Sequence, residues 1–146
     1  MNICISATCT MSRHAPPCLI DFEAIGSSQE GYLSVGKDLP FEVKRVFWTY
    51  FTPQSVTRGR HAHHKTHMVI VAVHGKISIS TETLSDEKNV FVLDLPTRGL
   101  YLPPLCWHVL EYSHDAVQVV LTSTEYDPSD YIRDYATFRQ MSHAPR

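Results

Sequence analysis

Neither a long apolar run nor a run of like charge occurs in this chain, and those two absences remove whole classes of partner. No stretch reaches the roughly 18 apolar residues that a membrane-spanning helix needs. The opening Met1-Asn2-Ile3-Cys4-Ile5-Ser6-Ala7 has neither the basic start nor the apolar core of a secretory leader. With 13 basic and 15 acidic residues and a formal charge of -2, there is no basic stripe for nucleic acid and no polybasic membrane anchor. Cysteine is scarce as well: Cys4, Cys9, Cys18 and Cys106 contain no C-x-x-C pair, and three of them crowd into the first eighteen residues. The expectation is reduced thiols in a cytoplasmic protein. Internal repeats and low-complexity segments are also missing.

Helical periodicity is lacking over most of the chain, and alternation of period two takes its place. Candidate strands are Leu19–Phe22, Tyr32–Val35, Val43–Phe51, Gly59–His63, Met68–Val73, Lys76–Ser80, Asn89–Leu93, Leu100–Leu102, Trp107–Tyr112 and Val117–Thr122. So many short strands in 146 residues predict one all-β barrel or sandwich, long enough to bury about two thirds of its unfolded surface. Met68–Val73 is apolar throughout, as a central strand covered on both faces should be, whereas Lys76–Ser80 alternates. Val73-His74-Gly75-Lys76 reads as the hairpin between them. After Tyr126-Asp127-Pro128 the period changes. Ser129 or Asp130 is a candidate cap for a short terminal helix with Ile132, Tyr135 and Phe138 near one face. Residues 1–17 are expected to form an N-terminal extension without regular structure, and 18–141 the single domain.

The densest chemistry lies in Arg58-Gly59-Arg60-His61-Ala62-His63-His64-Lys65-Thr66-His67, with four imidazoles in seven residues. In an extended segment His61 and His63 share one face, and His67 joins them if the strand continues. A barrel-bound metal takes two ligands one residue apart, a third a few residues on and a fourth from a distant strand. His61, His63, His67 and His108 satisfy that count.

The spacing resembles the cupin pattern, in which H-x-H is followed by Glu, then Gly, then a second motif with Pro and His. Here His67 occupies the Glu place, Gly75 the Gly place, and Pro103 with His108 the second motif. A narrower resemblance runs from Leu19 to Phe138. Phe41-Glu42-Val43-Lys44-Arg45-Val46, Arg58-Gly59-Arg60-His61-Ala62-His63, Gly99-Leu100-Tyr101-Leu102-Pro103-Pro104, Trp107-His108 and Asp130-Tyr131-Ile132-Arg133-Asp134-Tyr135 resemble the WxcM-like, FdtA/QdtA-type nucleotide-sugar 3,4-ketoisomerases. That resemblance implies a single cupin domain, an RmlC-like jelly-roll β-barrel with a short C-terminal helix. It implies a homodimer with an exchanged N-terminal strand, no metal or other cofactor, and dTDP-4-keto-6-deoxyglucose as substrate. The product would feed deoxyamino-sugar synthesis for lipopolysaccharide and other surface polysaccharides or for antibiotic glycosides.

The reaction so implied removes an acidified C3 hydrogen from a 4-ketosugar to give an enediolate and returns a proton at C4. An imidazole, with a reference pKa of about 6.5, suits both steps. By the resemblance His61 is the base. His63 is the second acid or the group that polarises an oxygen, and Arg58 steadies the enediolate or grips a phosphate. Arg98, Tyr50, Trp107, His108, Tyr101 and Glu30 are the candidate substrate contacts, with Trp107 or Tyr101 as a platform for thymine. Two positions depart from the family. Phe47, followed by Trp48, stands where relatives carry a tyrosine, so that Tyr50 would have to supply the hydroxyl. Glu30 stands where relatives carry Arg or Tyr.

Plainer readings stand beside these. His61, His63, His67 and His108 each also read as satisfied polar groups on a barrel wall, Arg58 as a strand-end ion pair and Arg98 as a turn-flanking charge. Trp107 and Tyr101 also read as core, Tyr131 and Arg133 as fastenings for the tail, and Cys106 as a small buried residue. His64, His74 and His114 read as solvated surface. Three function classes follow: a metal-independent isomerase, a metal-dependent cupin enzyme using His61, His63, His67 and His108, and a non-catalytic sugar-nucleotide binding domain.

Overall fold

Period-two alternation gives each strand one apolar face, and two sheets bury those faces against each other. The computed structural model describes residue 9 and residues 14–142. Its strands are β1 (Cys18–Asp21), β2 (Glu23–Ser27), β3 (Gly31–Val35), β4 (Arg45–Tyr50), β5 (Arg58–His63), β6 (Met68–His74), β7 (Ile77–Thr83), β8 (Lys88–Leu93), β9 (Arg98–Leu102), β10 (Cys106–Tyr112), β11 (Val117–Thr122) and β12 (Tyr131–Ile132). The chain closes with helix α1 (Tyr135–Met141). One sheet has the order β1-β9-β6-β11-β4 and the facing sheet β12-β5-β10-β7-β8, while β2 and β3 form a separate hairpin. Among the described residues no helix is long and apolar enough to cross a membrane.

Strand β6 is central in its sheet, and its unbroken apolar run has the expected cause. Met68, Ile70 and Ala72 face the inter-sheet core with Ile77, Ile79, Leu100, Leu110 and Val120. Val69 and Val71 face outward under Phe41 and Tyr101. Both faces are covered.

Several expectations change at the edges of elements. Gly75 does sit in a turn at φ 71°, where a Cβ would come within 2.6 Å of Ala116, but the turn is not a hairpin. β6 pairs with β9 and β11 and β7 with β10 and β8, so the turn carries the chain from one sheet to the other. The tail helix begins later than its candidate caps. Asp134 accepts from the Thr137 N–H at 2.8 Å and caps Tyr135–Met141, while Pro128–Asp130 forms one 3-10 turn and Ile132 lies in β12. Glu23–Ser27 was missed as a strand because Glu-Ala-Ile-Gly-Ser alternates weakly.

The reduced-thiol expectation is corrected for two residues. Cys9 and Cys18 are joined in a disulfide, their Cα atoms 6.4 Å apart, and both pack on the apolar cluster behind the first sheet. Cys106 is a free, buried thiol, and burial pushes its pKa up to about 12. Cys4, and most of the extension expected over 1–17, lie outside the described residues.

Candidate active site

The site begins with an irregularity in β5. Opposite β10, His108 pairs with His61 but Val109 pairs with Gly59, so Arg60 is an extra residue in the strand. Gly59 and Arg60 both have positive φ, 81° and 56°. A Cβ on Gly59 would meet the His108 carbonyl oxygen and Leu110 Cδ1, each at 2.8 Å. The bulge therefore requires glycine, and it re-aims the strand. Without it Arg58 and His61, three residues apart, would face opposite sides. With it, Arg58, His61 and His63 all line one cavity of about 330 Å³ between the sheets.

His108 from β10, Phe47 and Thr49 from β4, and Tyr131 and Arg133 from the tail also line that cavity, as do Met68, Ile70, Tyr112 and Gln118. The His61 ring lies 4.6 Å from His108 and 5.0 Å from His63, centroid to centroid. Tyr131 stands 4.9 and 4.5 Å from His61 and His63, with the Arg133 guanidinium 4.4 Å over its ring.

Each imidazole is held by Nδ1. His61 Nδ1 lies 3.0 Å from the Gly59 carbonyl oxygen and His108 Nδ1 3.1 Å from that of Cys106. His63 Nδ1 lies 2.9 Å from Asp130 Oδ2. All three acceptors lack protons, so Nδ1 carries the hydrogen in every ring and Nε2 keeps its lone pair for the cavity. Burial keeps the rings neutral. Desolvation, followed by the field of His63, lowers His61 from 6.5 to about 4. Desolvation also takes His63 below its ordinary value despite the upward pull of Asp130, and it takes His108 well below. Asp130 stays ionised: burial pushes it upward, but hydrogen bonds from Thr66, the Lys65 N–H and His63 hold it below the usual carboxylate value.

His67 does not join the set. β5 ends at His63, the chain bends through His64 and Lys65, and His67 precedes β6. Its Nδ1 shares a hydrogen bond with the Tyr101 hydroxyl at 2.7 Å, behind the first sheet. The expected four-histidine set is therefore three, His61, His63 and His108, with potential ligand atoms within 4.8 Å of one another. Those nitrogens fit a divalent metal by type. The cavity's charge opposes one, since Arg58 and Arg133 line it and, among the described residues, no carboxylate does.

Other expected contacts also lie elsewhere. Tyr101 is fully buried behind the first sheet, and Arg98 forms an ion pair with Asp21 at 2.8 Å. Trp107 neighbours His108 but faces outward, edge-on to Tyr135 at 5.3 Å. Tyr50 is exposed and packs on Phe51, on the face opposite Phe47 and Thr49, so it supplies no hydroxyl to the cavity. Glu30 is in the exposed turn between β2 and β3. Tyr131 and Arg133, read as tail fastenings, are cavity residues instead. Asp130, read as a candidate helix cap and as the first residue of a family motif, is 3 % exposed and orients His63. No local pattern announces that contact, which spans 67 residues.

Comparison with known proteins agrees with this geometry. Residues 17–143 match the family model described as FdtA: WxcM-like, C-terminal. The chain is 36% identical over 128 residues to the TDP-4-oxo-6-deoxy-alpha-D-glucose-3,4-oxoisomerase of Aneurinibacillus thermoaerophilus, covering 84% of this chain and 89% of that one. It superposes on the sugar 3,4-ketoisomerase QdtA from Thermoanaerobacterium thermosaccharolyticum, solved with TDP, at TM-score 0.82 and 32% identity, covering 87% and 94% of the two chains. A point variant of that enzyme has been solved with TDP-4-keto-6-deoxyglucose. At the level of fold alone the barrel is similar to a dTDP-4-dehydrorhamnose 3,5-epimerase from Bacillus anthracis, at TM-score 0.69 and 13% identity over 79% of this chain and 76% of that one.

Proposed function

This chain belongs to the WxcM-like family of sugar 3,4-ketoisomerases, and from that premise we propose that it moves the keto group of dTDP-4-keto-6-deoxyglucose from C4 to C3. Residues 18–141 form its cupin domain. The observation that carries the reading is a cavity holding three neutral imidazoles, each with Nδ1 occupied, beside two guanidiniums. Neutral imidazoles move protons and guanidiniums receive anions. A nucleoside diphosphate ketosugar presents both demands.

In this reading His61 Nε2 takes the C3 proton, exchanges it with solvent, and delivers a proton at C4. Its lowered pKa keeps the lone pair free in the unliganded enzyme. The negative charge that develops on the enediolate then favours the imidazolium at the moment it forms. Arg58 holds that charge or the diphosphate, and Arg133, braced on Tyr131, adds a second cation. Phe47 lines the cavity where relatives place a tyrosine, so the phenol nearest the imidazoles is that of Tyr131. The protein acts as a cytoplasmic homodimer with an exchanged N-terminal strand, and its product enters deoxyamino-sugar synthesis.

The test is conversion of dTDP-4-keto-6-deoxyglucose followed by carbon NMR with and without chelator. A new 3-keto carbon formed equally in both samples supports the proposal. A second reading, a metal-dependent enzyme, draws on the 4.8 Å cluster of His61, His63 and His108. It requires stoichiometric metal and activity that chelation removes. Binding of the ketosugar with no conversion in either sample would identify a non-catalytic module.

A further inference from the structure

The imidazoles line one end of the cavity, and strand register places a second polar group at the other. Along β10 the cavity-lining positions are His108, Leu110 and Tyr112, with His108 opposite His61 and Leu110 opposite Arg58. On the facing sheet Val120 pairs with Phe47 and Ile70, and Gln118 pairs with Thr49. Tyr112 and Gln118 meet between the sheets, so an apolar layer of Leu110, Ile70 and Val120 separates them from the imidazoles. The strand from His108 to Tyr112 spans roughly 13 Å.

Gln118 is 5 % exposed and buried among those side chains. Burial pushes the Tyr112 phenol up to about 12, so it stays protonated, and its hydroxyl donates to Gln118 Oε1 at 2.9 Å. That bond turns the amide so that Nε2, with both hydrogens, is the atom left over. Among the described residues no fully buried side-chain nitrogen or oxygen lacks a partner, and Nε2 has none in the protein, so it opens on the cavity that Gln118 lines. Beside it are the Thr49 hydroxyl on the adjacent strand and the Arg58 guanidinium, whose field reaches Tyr112. An amide, a hydroxyl and a guanidinium all donate, and a buried amide left without an acceptor is costly.

Such a set suits an anion with several oxygens, and a nucleoside diphosphate ketosugar carries one in its diphosphate. The diphosphate is attached at C1, across the pyranose ring from C4. A sugar whose C3–C4 edge lies at the imidazoles therefore directs its diphosphate away from them, with the apolar layer against its carbons. We propose that Gln118 Nε2 is a substrate-binding donor that holds the diphosphate together with Arg58 and Thr49, and that Tyr112 is the positioning residue that presents it. Arg133 stands at the imidazole end, over Tyr131, which pairs with His63, and so lies away from the diphosphate. This inference rests on the isomerase reading above and deepens it by giving the substrate a direction in the cavity.

The test is binding of TDP and of thymidine to the wild type, Gln118→Leu, Tyr112→Phe, the double variant and Arg133→Ala, by titration calorimetry with thermal midpoints recorded to confirm folding. Gln118→Leu should raise the Kd for TDP about tenfold or more and leave that for thymidine within about twofold. Tyr112→Phe should raise the Kd for TDP about threefold, and in the Gln118→Leu background it should add nothing, because it acts through the amide. If Gln118→Leu does not fold, Gln118→Met, closer in shape, replaces it. In turnover of dTDP-4-keto-6-deoxyglucose the Gln118 substitution should raise KM while kcat holds within about threefold. An unchanged Kd for TDP in the folded Gln118 variant, or equal losses for TDP and thymidine, would overturn the assignment. So would a greater loss of TDP binding in Arg133→Ala than in Gln118→Leu, which would put the diphosphate at the imidazole end. A wild type that binds TDP but converts no ketosugar would refute the isomerase reading alone, and the same titrations would still decide the diphosphate site.

Discussion

The β12-β5-β10-β7-β8 sheet carries a concavity on each face, and the two differ in what their polar groups have left to give. The outer groove, about 410 Å³ and lined by Trp107, Glu82, Lys88 and Tyr135, contains a buried carboxylate that is fully engaged. Glu82 accepts from the Tyr135 hydroxyl at 3.0 Å and from Arg139 at 2.9 Å. The inner cavity contains imidazoles engaged at one nitrogen only. Trp107 and His108, adjacent in β10, show how sharply the division falls: one closes the groove against α1, the other enters the cavity. Burial of polar groups is common to both faces. Chemistry belongs to the face whose groups keep an atom for a ligand.

The largest expected effect separates the faces directly. His61→Asn should lower kcat/KM by about 10²–10⁴-fold, the usual contribution of a general base, while Glu82→Gln should leave it within about twofold and lower the thermal midpoint. The cost at Glu82, where a charged hydrogen bond to Arg139 is lost, should be about 1–3 kcal/mol. Steady-state kinetics and calorimetry on the same two variants check both halves. Next in size, Arg58→Ala should raise the Kd for TDP about 10- to 100-fold, the equivalent of a charge-assisted hydrogen bond of roughly 1.5–3 kcal/mol, as titration calorimetry would show.

A third prediction concerns acid. His61, His63 and His108 all have folded-state pKa values below 6.5, His61 at about 4. The unfolded chain therefore binds more protons than the folded one as pH falls below 6.5. Stability is complete above that value and is lost toward about 4, at up to roughly 1.4 kcal/mol per pH unit for each histidine. Denaturant midpoints measured from pH 7.5 to 4.5 should fall steadily. Over the same range the acid limb of kcat/KM should lie well below 6.5, because the base remains unprotonated in the free enzyme. The smallest effect belongs to His67→Phe. It breaks a hydrogen bond to Tyr101 outside the cavity, so kcat should hold and stability should drop by about 1 kcal/mol.

The same contrast explains what could be read in the residues beforehand. An unbroken apolar run located β6 and alternation located most other strands of the two sheets, since both follow from local pattern alone, and H-x-H put His61 and His63 on one face. Two longer-range events were hidden. The Gly59–Arg60 bulge aligns Arg58 with the histidines through a close approach of Gly59 to the His108 carbonyl, which only the partner strand can impose. The bend through His64 and Lys65, held by Asp130 from the tail, sends His67 behind the sheet. Asp130, Tyr131 and Arg133 reach the site for the same reason: β12 pairs with β5 across almost seventy residues. The aromatic candidates failed because Tyr101 and Trp107 satisfy core packing on the two outer faces before any ligand is considered.

The most direct test of the central assignment is to place solvent deuterium by proton NMR after dTDP-4-keto-6-deoxyglucose is turned over in deuterated water by the wild-type protein and by His61→Asn. The account predicts a 3-keto product carrying deuterium at C4 from the wild type, and neither product nor C3 exchange from the variant. Deuterium at C4 formed as fast by His61→Asn as by the wild type would contradict it.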